Sequence, residues 1–419
     1  MAKTSYRDDH AFSIHFFLEV FSRFGYGANG ITRLAYTEPE KMAKTQFVKL
    51  CENEGMNVRL DAAGNVIARR SGVGEEKCAV ACGSHLDSVI NAGSYDGVLG
   101  VLAGLEVVRM LNRRNIQTRY PIELIAFTCE ESSRFGVSTV GSKAMVGLLD
   151  MDVLAHVKDK AGMSFEEAVR LQGLDFARLP QARRSPDELK VFIELHIEQG
   201  PVLEQNKKQI GVVSSIAAPT RFRLNIAGEA GHSGTTTMEL RKDALVGAAE
   251  IILAVEKLTT QEHHSFSVGT VGSLHVLPNS TNTIPGKVEM IYEFRSNDRE
   301  SKYHLNRSLI EQIKDISERR GLTVESQLLS DESPVELNPF VRNVIKESCE
   351  VRGKSFLEMA SGAGHDAMNM AQLCPTGMIF VPSVRGVSHH PGEFTEPFDV
   401  EAGVDILYET MLRLAEPIC

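Results

Sequence analysis

An α/β sheet covered by helices, interrupted by a smaller α+β insertion, is the fold class this 419-residue sequence predicts. Two patterns predict it. Through residues 1–212, helical stretches such as VLGVLAGLEVVRMLNRR alternate with short apolar runs such as IELIAFT and VFIEL, as strands buried between helices do. From 213 to 328 the order changes. RFRLNIAG alternates with period two, DALVGAAEIILAVEKL is helical, SFSVGTVGSL and GKVEMIYEFRS read as strands, SKYHLNRSLIEQIKDISERR is helical, and LTVESQLL is a final strand. That βαββαβ order is the split, ferredoxin-like arrangement. Residues 329–419 return to helix and apolar strand, so a two-piece main domain, 1–212 with 329–419, holds an inserted domain, 213–328.

Composition narrows the function. With 42% hydrophobic and 24% charged residues the chain is an ordinary globular protein, long enough for more than one core. A net charge of −10 without any dense Lys/Arg block argues against nucleic-acid binding and leaves small molecules as partners. The start, MAKTSYRDDHAFSIHFFLEVFSRFG, has early acidic residues and no small-residue cleavage site after its apolar part, so it reads as a helix and not as a signal peptide. No apolar run is long enough to span a membrane. Seven cysteines, an odd number without CxxC spacing, read as free thiols in a reducing cytoplasm. Cys129, at the end of an apolar run, reads as packing before it reads as a nucleophile.

Five metal-ligand-type side chains, His85, Asp96, Glu131, His196 and His389, lie in five separate segments, and four of these segments carry an apolar run leading into the ligand. Sites in open α/β sheets gather at the carboxyl ends of strands, so the five are candidates for one site built by the fold, holding two metal ions. Imidazole with carboxylate suits zinc, manganese or cobalt. Asp87, two residues beyond His85, is placed to orient the imidazole. Glu130 and Glu131 follow a strand and would point to opposite sides if the chain stayed extended, giving one ligand and one general base. Singly, these residues also read as solvated loop groups, an acidic helix start, or a satisfied core histidine. Two divalent cations against two carboxylates and a hydroxide would keep one positive charge to polarise a carbonyl.

Taken together, ITRLAYT, GSHLDSVINAGSYDG, EESSRFG, GSK, ELHIEQGPVLE, GHSGTTTM with RKDA, PNSTNTIPG, SGAGHDA and PSVRGVSHHPGE resemble the amidase, hydantoinase and carbamoylase family of dinuclear metallohydrolases, relatives of metallo-aminoacylases and bimetallic aminopeptidases. The resemblance implies a zinc-peptidase-like catalytic domain with an inserted lid and dimerisation domain. It implies Asp96 as a bridge between two divalent ions (Zn, Mn or Co) per subunit, His85 and His196 on one ion, Glu131 and His389 on the other, and Glu130 as general base. The SHxP pattern selects His389 over His390. Gln199, His232, Asn282, Arg295 and Gly364 correspond to substrate contacts, with His232 as an oxyanion stabiliser and Arg295 as a fork on the substrate carboxylate. His232 and Asn282 would act across a homodimer, and hinges near 212 and 329 would let the lid move.

The expected activity is hydrolysis of the linear amide of N-carbamoyl-L-amino acids. Allantoate, 3-ureidopropionate and N-acyl amino acids are alternative substrates. A silent binding protein of the same fold is the remote alternative, opposed by Glu130, which such a protein does not need. The chain departs from the family at Ser233, Thr237, Glu293 and Ser296, and the last two are expected to alter the carboxylate pocket beside Arg295.

Overall fold

The computed structural model describes residues 8–263 and 266–418. The helix expected at the start of the chain runs Asp8–Ser22; the first seven residues, like Cys419, lie outside the described residues. The chain divides into two compact units. One ends its first stretch at Ser214 and resumes over Leu337–Met359 and from His365 onward; the other is Ser215–Glu336 with Ala360–Gly364.

The first unit is built on a mixed sheet in which Ile210–Ile216, Thr376–Val381, Leu189–Ile197, Ala79–His85, Ile122–Phe127, Val66–Arg70 and Asn57–Leu60 are successive neighbours. The four apolar runs noted in the sequence are its central strands: Thr376–Val381, Leu189–Ile197, Ala79–His85 and Ile122–Phe127 pair in parallel. Their near-continuous apolar character follows from burial on both faces, since every residue of Ala79–His85, Ile122–Phe127 and Thr376–Val381 is buried. The helix Val98–Arg113, buried almost all round, and the helix Pro397–Leu414 contribute to the same apolar core. Because the four strands are parallel, their C-terminal ends open on one edge of the sheet.

The second unit carries four antiparallel strands in the order Ser267–Leu277, Lys287–Ser296, Ala218–Ala227, Thr323–Asp331, which in chain numbering is 2-3-1-4. The helices Ala244–Thr260 and Arg299–Arg320 share one core with it. Each helix starts at an aspartate that accepts from first-turn N–H groups, Asp243 from Leu245 and Val246, Asp298 from Ser301. Along Lys287–Ser296 burial alternates, with Val288, Met290, Tyr292 and Phe294 inward and Glu293 and Arg295 on the other face. This is the expected ferredoxin-like order.

Candidate active site

Each parallel strand of the first unit delivers a ligand-type residue at or just beyond its C-terminal end. His85 ends its strand, His196 is the penultimate residue of its own, Glu130 and Glu131 follow Phe127, and Ser388 and His389 follow Val381. His85, His196 and Asp96 are almost fully buried, whereas the His389 side chain is half exposed.

Asp96 is the hub. Its Oδ1 lies 3.4 Å from His85 Nε2 and 3.2 Å from His196 Nε2; its Oδ2 lies 3.2 Å from His389 Nε2, which is in turn 3.3 Å from Glu131 Oε1. One carboxylate oxygen therefore faces a buried histidine pair, and the other faces a half-exposed histidine and a second carboxylate. The turn carrying Asp96 continues through Gly97, whose φ is +68° and where a Cβ would meet the His85 ring at 2.4 Å, so only glycine lets the chain pass the imidazole.

The donor set fits divalent cations. His85 Nδ1 sits 3.0 Å from the Asp87 carbonyl oxygen and His196 Nδ1 2.9 Å from the Ile197 carbonyl oxygen, so each ring donates from Nδ1 and keeps a lone pair on Nε2. The backbone N–H of Gly97 donates to His196 Nε2 at 3.3 Å, consistent with that tautomer. Lone pairs aimed at a carboxylate oxygen repel it unless a cation lies between them. Two ligand atoms about 2.1 Å from one tetrahedral ion stand about 3.4 Å apart, close to the separations found here. Gln199 adds a buried Oε1 without a partner among the described residues, while its Nε2 donates to Asp96 Oδ2 at 2.8 Å.

Electrostatics agrees. Burial alone would lower the His85 pKa, but Asp96, Glu130 and Asp87 raise it well above the ordinary histidine value. Burial would raise that of Asp96, but His196, His389 and His85 hold it well below the carboxylate range. The site thus has a field that favours positive charge between these residues, as protons or as metal. Glu130 differs: burial, opposed by His85, pushes it well above the usual carboxylate range. Such a carboxylate holds a proton readily, which suits proton transfer.

Two expectations are corrected. The chain does not stay extended after Phe127, because Cys129 adopts φ 51°, in the left-handed region. Glu130 and Glu131 consequently do not diverge; both bring an oxygen within 4.8 Å of each other and of a His85 ring nitrogen. At Asp87 the backbone carbonyl, 3.0 Å from His85 Nδ1, takes the hydrogen bond expected of the side chain, whose Oδ1 lies 3.8 Å from the same nitrogen; the carboxylate accepts the N–H groups of Glu130, at 3.2 Å, and Glu131, at 3.0 Å, and so fixes the loop bearing both glutamates. Cys129 is buried, and burial pushes its thiol well above the ordinary value.

Sequence reasoning missed a surrounding layer of groups. Glu194 and His365 bring ligand-type atoms within 4.8 Å of each other and of His196. Glu194 accepts from Ser84 Oγ and from the Ala367 N–H, each at 2.8 Å. The signal for it was present: Glu194 precedes His196 by two positions in a strand and so shares its side. Asp366 accepts a hydrogen bond from Ser142 Oγ. Glu393, five residues after Ser388 in an irregular loop, carried no such signal.

The remaining expected contacts lie in the second unit. His232 is exposed, and its Nδ1 accepts from the Gly234 N–H at 3.0 Å, leaving an Nε2–H free to donate. A short ribbon, Gly231–His232 against Thr283–Ile284, brings His232 beside Asn282, whose backbone oxygen accepts from the Ser233 N–H at 3.0 Å. Arg295 donates through Nε to Glu293 Oε1, and its Nη1 donates to the Gly362 carbonyl oxygen at 3.3 Å. The other Glu293 oxygen accepts from Nε of Arg221, a residue the sequence did not single out. Ser296 does not line this group: it is fully buried on the opposite face and accepts from Ser267 Oγ at 2.9 Å. Gly364 is exposed, with open space where a side chain would be.

Parallel strands whose C-terminal edge gathers histidines and carboxylates beside a buried glutamate define a metal-dependent hydrolase. The chain belongs to peptidase family M20/M25/M40, which it matches over residues 82–413, and it is an amidohydrolase of that family. It is 40% identical to the N-carbamoyl-L-amino acid amidohydrolase of Geobacillus stearothermophilus over 93% of this chain and 94% of that one. It is 34% identical to the allantoate amidohydrolase of Escherichia coli (strain K12), again over 93% and 94%. The solved structure of an amidase of the hydantoinase/carbamoylase family from Burkholderia multivorans superposes with a TM-score of 0.89 at 35% identity, covering 97% of this chain and 98% of that one.

Proposed function

We propose that the chain hydrolyses the linear amide of N-carbamoyl-L-amino acids to the amino acid, carbon dioxide and ammonia. The observation that carries this reading is the buried Glu130 carboxylate, 3.9 Å from His85 Nε2, beside ligand-type residues arranged on both oxygens of Asp96. The assignment of two divalent ions, one to His85, His196 and Asp96 and one to Asp96, Glu131 and His389, is supported by the tautomers and separations above. When bound, such ions supply Lewis acidity that polarises a carbonyl and acidifies water.

The chain's own residues do the rest. Glu130 accepts a proton from water as its oxygen adds to the carbamoyl carbon, then gives that proton to the amino-acid nitrogen as the carbon–nitrogen bond breaks; the carbamic acid released separates into carbon dioxide and ammonia. His232 donates to the developing oxyanion, Asn282, Gln199 and Gly364 line the substrate, and Arg295 holds its carboxylate. The family resemblance supports these roles, and it further supports a homodimer through the second unit and hinges that make that unit a lid; the scattered free cysteines support a cytoplasmic location. Among the described residues no helix is long and apolar enough to cross a membrane.

Allantoate is the second reading, favoured by the 34% identical relative named for that substrate. A panel of carbamoyl, ureido and acyl amino acids, with ammonia measured separately from amino acid, divides the two. Glu130→Gln is the test of the mechanism. It should lower kcat by about a hundredfold to ten-thousandfold while bound metal is unchanged, and a variant of near wild-type activity would remove Glu130 from the role of base.

A further inference from the structure

The loop carrying Asp96 and the loop carrying Ser388 and His389 are far apart in sequence and meet on one buried side chain. Glu393 is 5% exposed. Its Oε1 accepts the backbone N–H groups of Tyr95, at 2.9 Å, and Asp96, at 3.0 Å; its Oε2 accepts from Ser388 Oγ at 3.0 Å. The Ser388 hydroxyl is also 3.2 Å from Asp96 Oδ2, and Gln199 Nε2 reaches Asp96 Oδ2 at 2.8 Å and Ser388 Oγ at 3.3 Å.

A hydroxyl has one proton and an amide nitrogen has two, which decides the directions. The two Gln199 N–H groups satisfy Asp96 Oδ2 and Ser388 Oγ, and Ser388 is then free to donate to Glu393. The result is a closed ring of hydrogen bonds: Glu393 holds Asp96 by its backbone and, through Ser388 and Gln199, by the carboxylate oxygen that faces His389.

Two further features show that the chain is built around this carboxylate. At Gly93 a Cβ would meet Glu393 Cβ at 2.4 Å and Oε1 at 2.7 Å, so the Asp96 loop crosses directly over the glutamate where no larger residue fits. Gln199 and His389 both adopt left-handed backbone, φ 59° and 53°, a conformation unfavourable for a non-glycine residue that persists only where its surroundings hold it. Glu393 provides such a hold on the His389 loop.

We propose that Glu393, acting through Ser388 and the Asp96 backbone, is the positioning residue that clamps these two loops together and so sets the cation affinity of the Asp96 Oδ2, Glu131 and His389 side of the centre. The inference rests on the metal reading above and adds a residue that touches neither metal nor substrate. By contrast, His85 and His196 on the Oδ1 side are held by their own strands, so that side depends on the clamp only through the Asp96 backbone.

Cobalt(II) titrated into the metal-free full chain tests it, with affinity read by chelator competition and coordination by visible absorption. Glu393→Ala should weaken one class of bound cobalt about 10- to 100-fold and a second class severalfold at most. Glu393→Gln, which keeps one carbonyl acceptor for the Tyr95 and Asp96 N–H groups, should restore most of the loss, and it carries the test if the alanine variant fails to fold. Unchanged affinity in every class, or equal weakening of all classes, overturns the proposal. A wild-type chain that binds no cobalt overturns the metal reading itself, an outcome distinct from wild type and variant binding alike.

Discussion

The expected chemical groups of the first unit and those of the second are held in opposite ways. His85 and His196 at strand ends, and Asp96 and Glu130 in loops beyond them, are buried, each fixed by backbone or side-chain partners, in a field set by neighbouring charges. His232 and Asn282 are exposed on a short ribbon, and Arg295 lies on a helix-free sheet face with Glu293 as its ionic partner among the described residues. The difference teaches where each kind of work can be done. Cation binding and proton transfer need a fixed, dry field, which the core edge of the parallel sheet offers here, whereas groups that meet a substrate need access and freedom to move.

The strongest way to break that contrast is at its centre. Asp96→Ala removes the carboxylate shared by three histidines, and it should abolish stoichiometric metal binding and activity together. The fold should persist, because the strands bearing His85 and His196 belong to an apolar core that does not include Asp96. Metal analysis and circular dichroism on one sample check both halves; an Asp96→Ala protein that still binds metal at wild-type stoichiometry would show that Asp96 is not the hub.

A smaller effect is expected at His232. His232→Ala should lower kcat by about a hundredfold, as loss of one oxyanion donor does, with metal content and thermal midpoint unchanged. If metal content fell as well, the division between a unit that builds the centre and a unit that supplies contacts would have to be given up.

How much of this was legible in the sequence depended on periodicity. The strands and helices of both units follow from apolar runs, period-two alternation and aspartate caps, all local signals. Four of the five segments bearing ligand-type residues were legible because each carries such a run. The geometry between them was not. A left-handed Cys129 turned Glu130 and Glu131 onto one site, and a backbone carbonyl took the place given to the Asp87 side chain; neither outcome is local to the residues concerned. Glu393 was hidden because irregular loops have no period. Ser296 was readable: it shares parity with Phe294 along its strand, which places it on the buried face and away from Arg295.

That parity also locates the smallest expected effect. Arg221 and Arg295 face each other across Glu293 on the helix-free side of the second unit's sheet, each using Nε on a different carboxylate oxygen. Two guanidinium groups against one carboxylate leave a net positive charge there. Glu293 occupies only the Nε edges and the Gly362 carbonyl takes Nη1 of Arg295, which leaves Arg295 Nη2 to meet a substrate carboxylate. Arg295→Ala should therefore raise KM about tenfold or more for substrates with a free α-carboxylate, the loss expected for a charge-assisted contact, with little change in kcat. Arg221→Ala should raise it only severalfold, because Arg221 acts chiefly by holding Glu293 off the rest of the Arg295 fork. The pair separates recognition from structure: KM rises of the same size on carboxyl-free amides would mean that the charged group holds the sheet face together and recognises nothing.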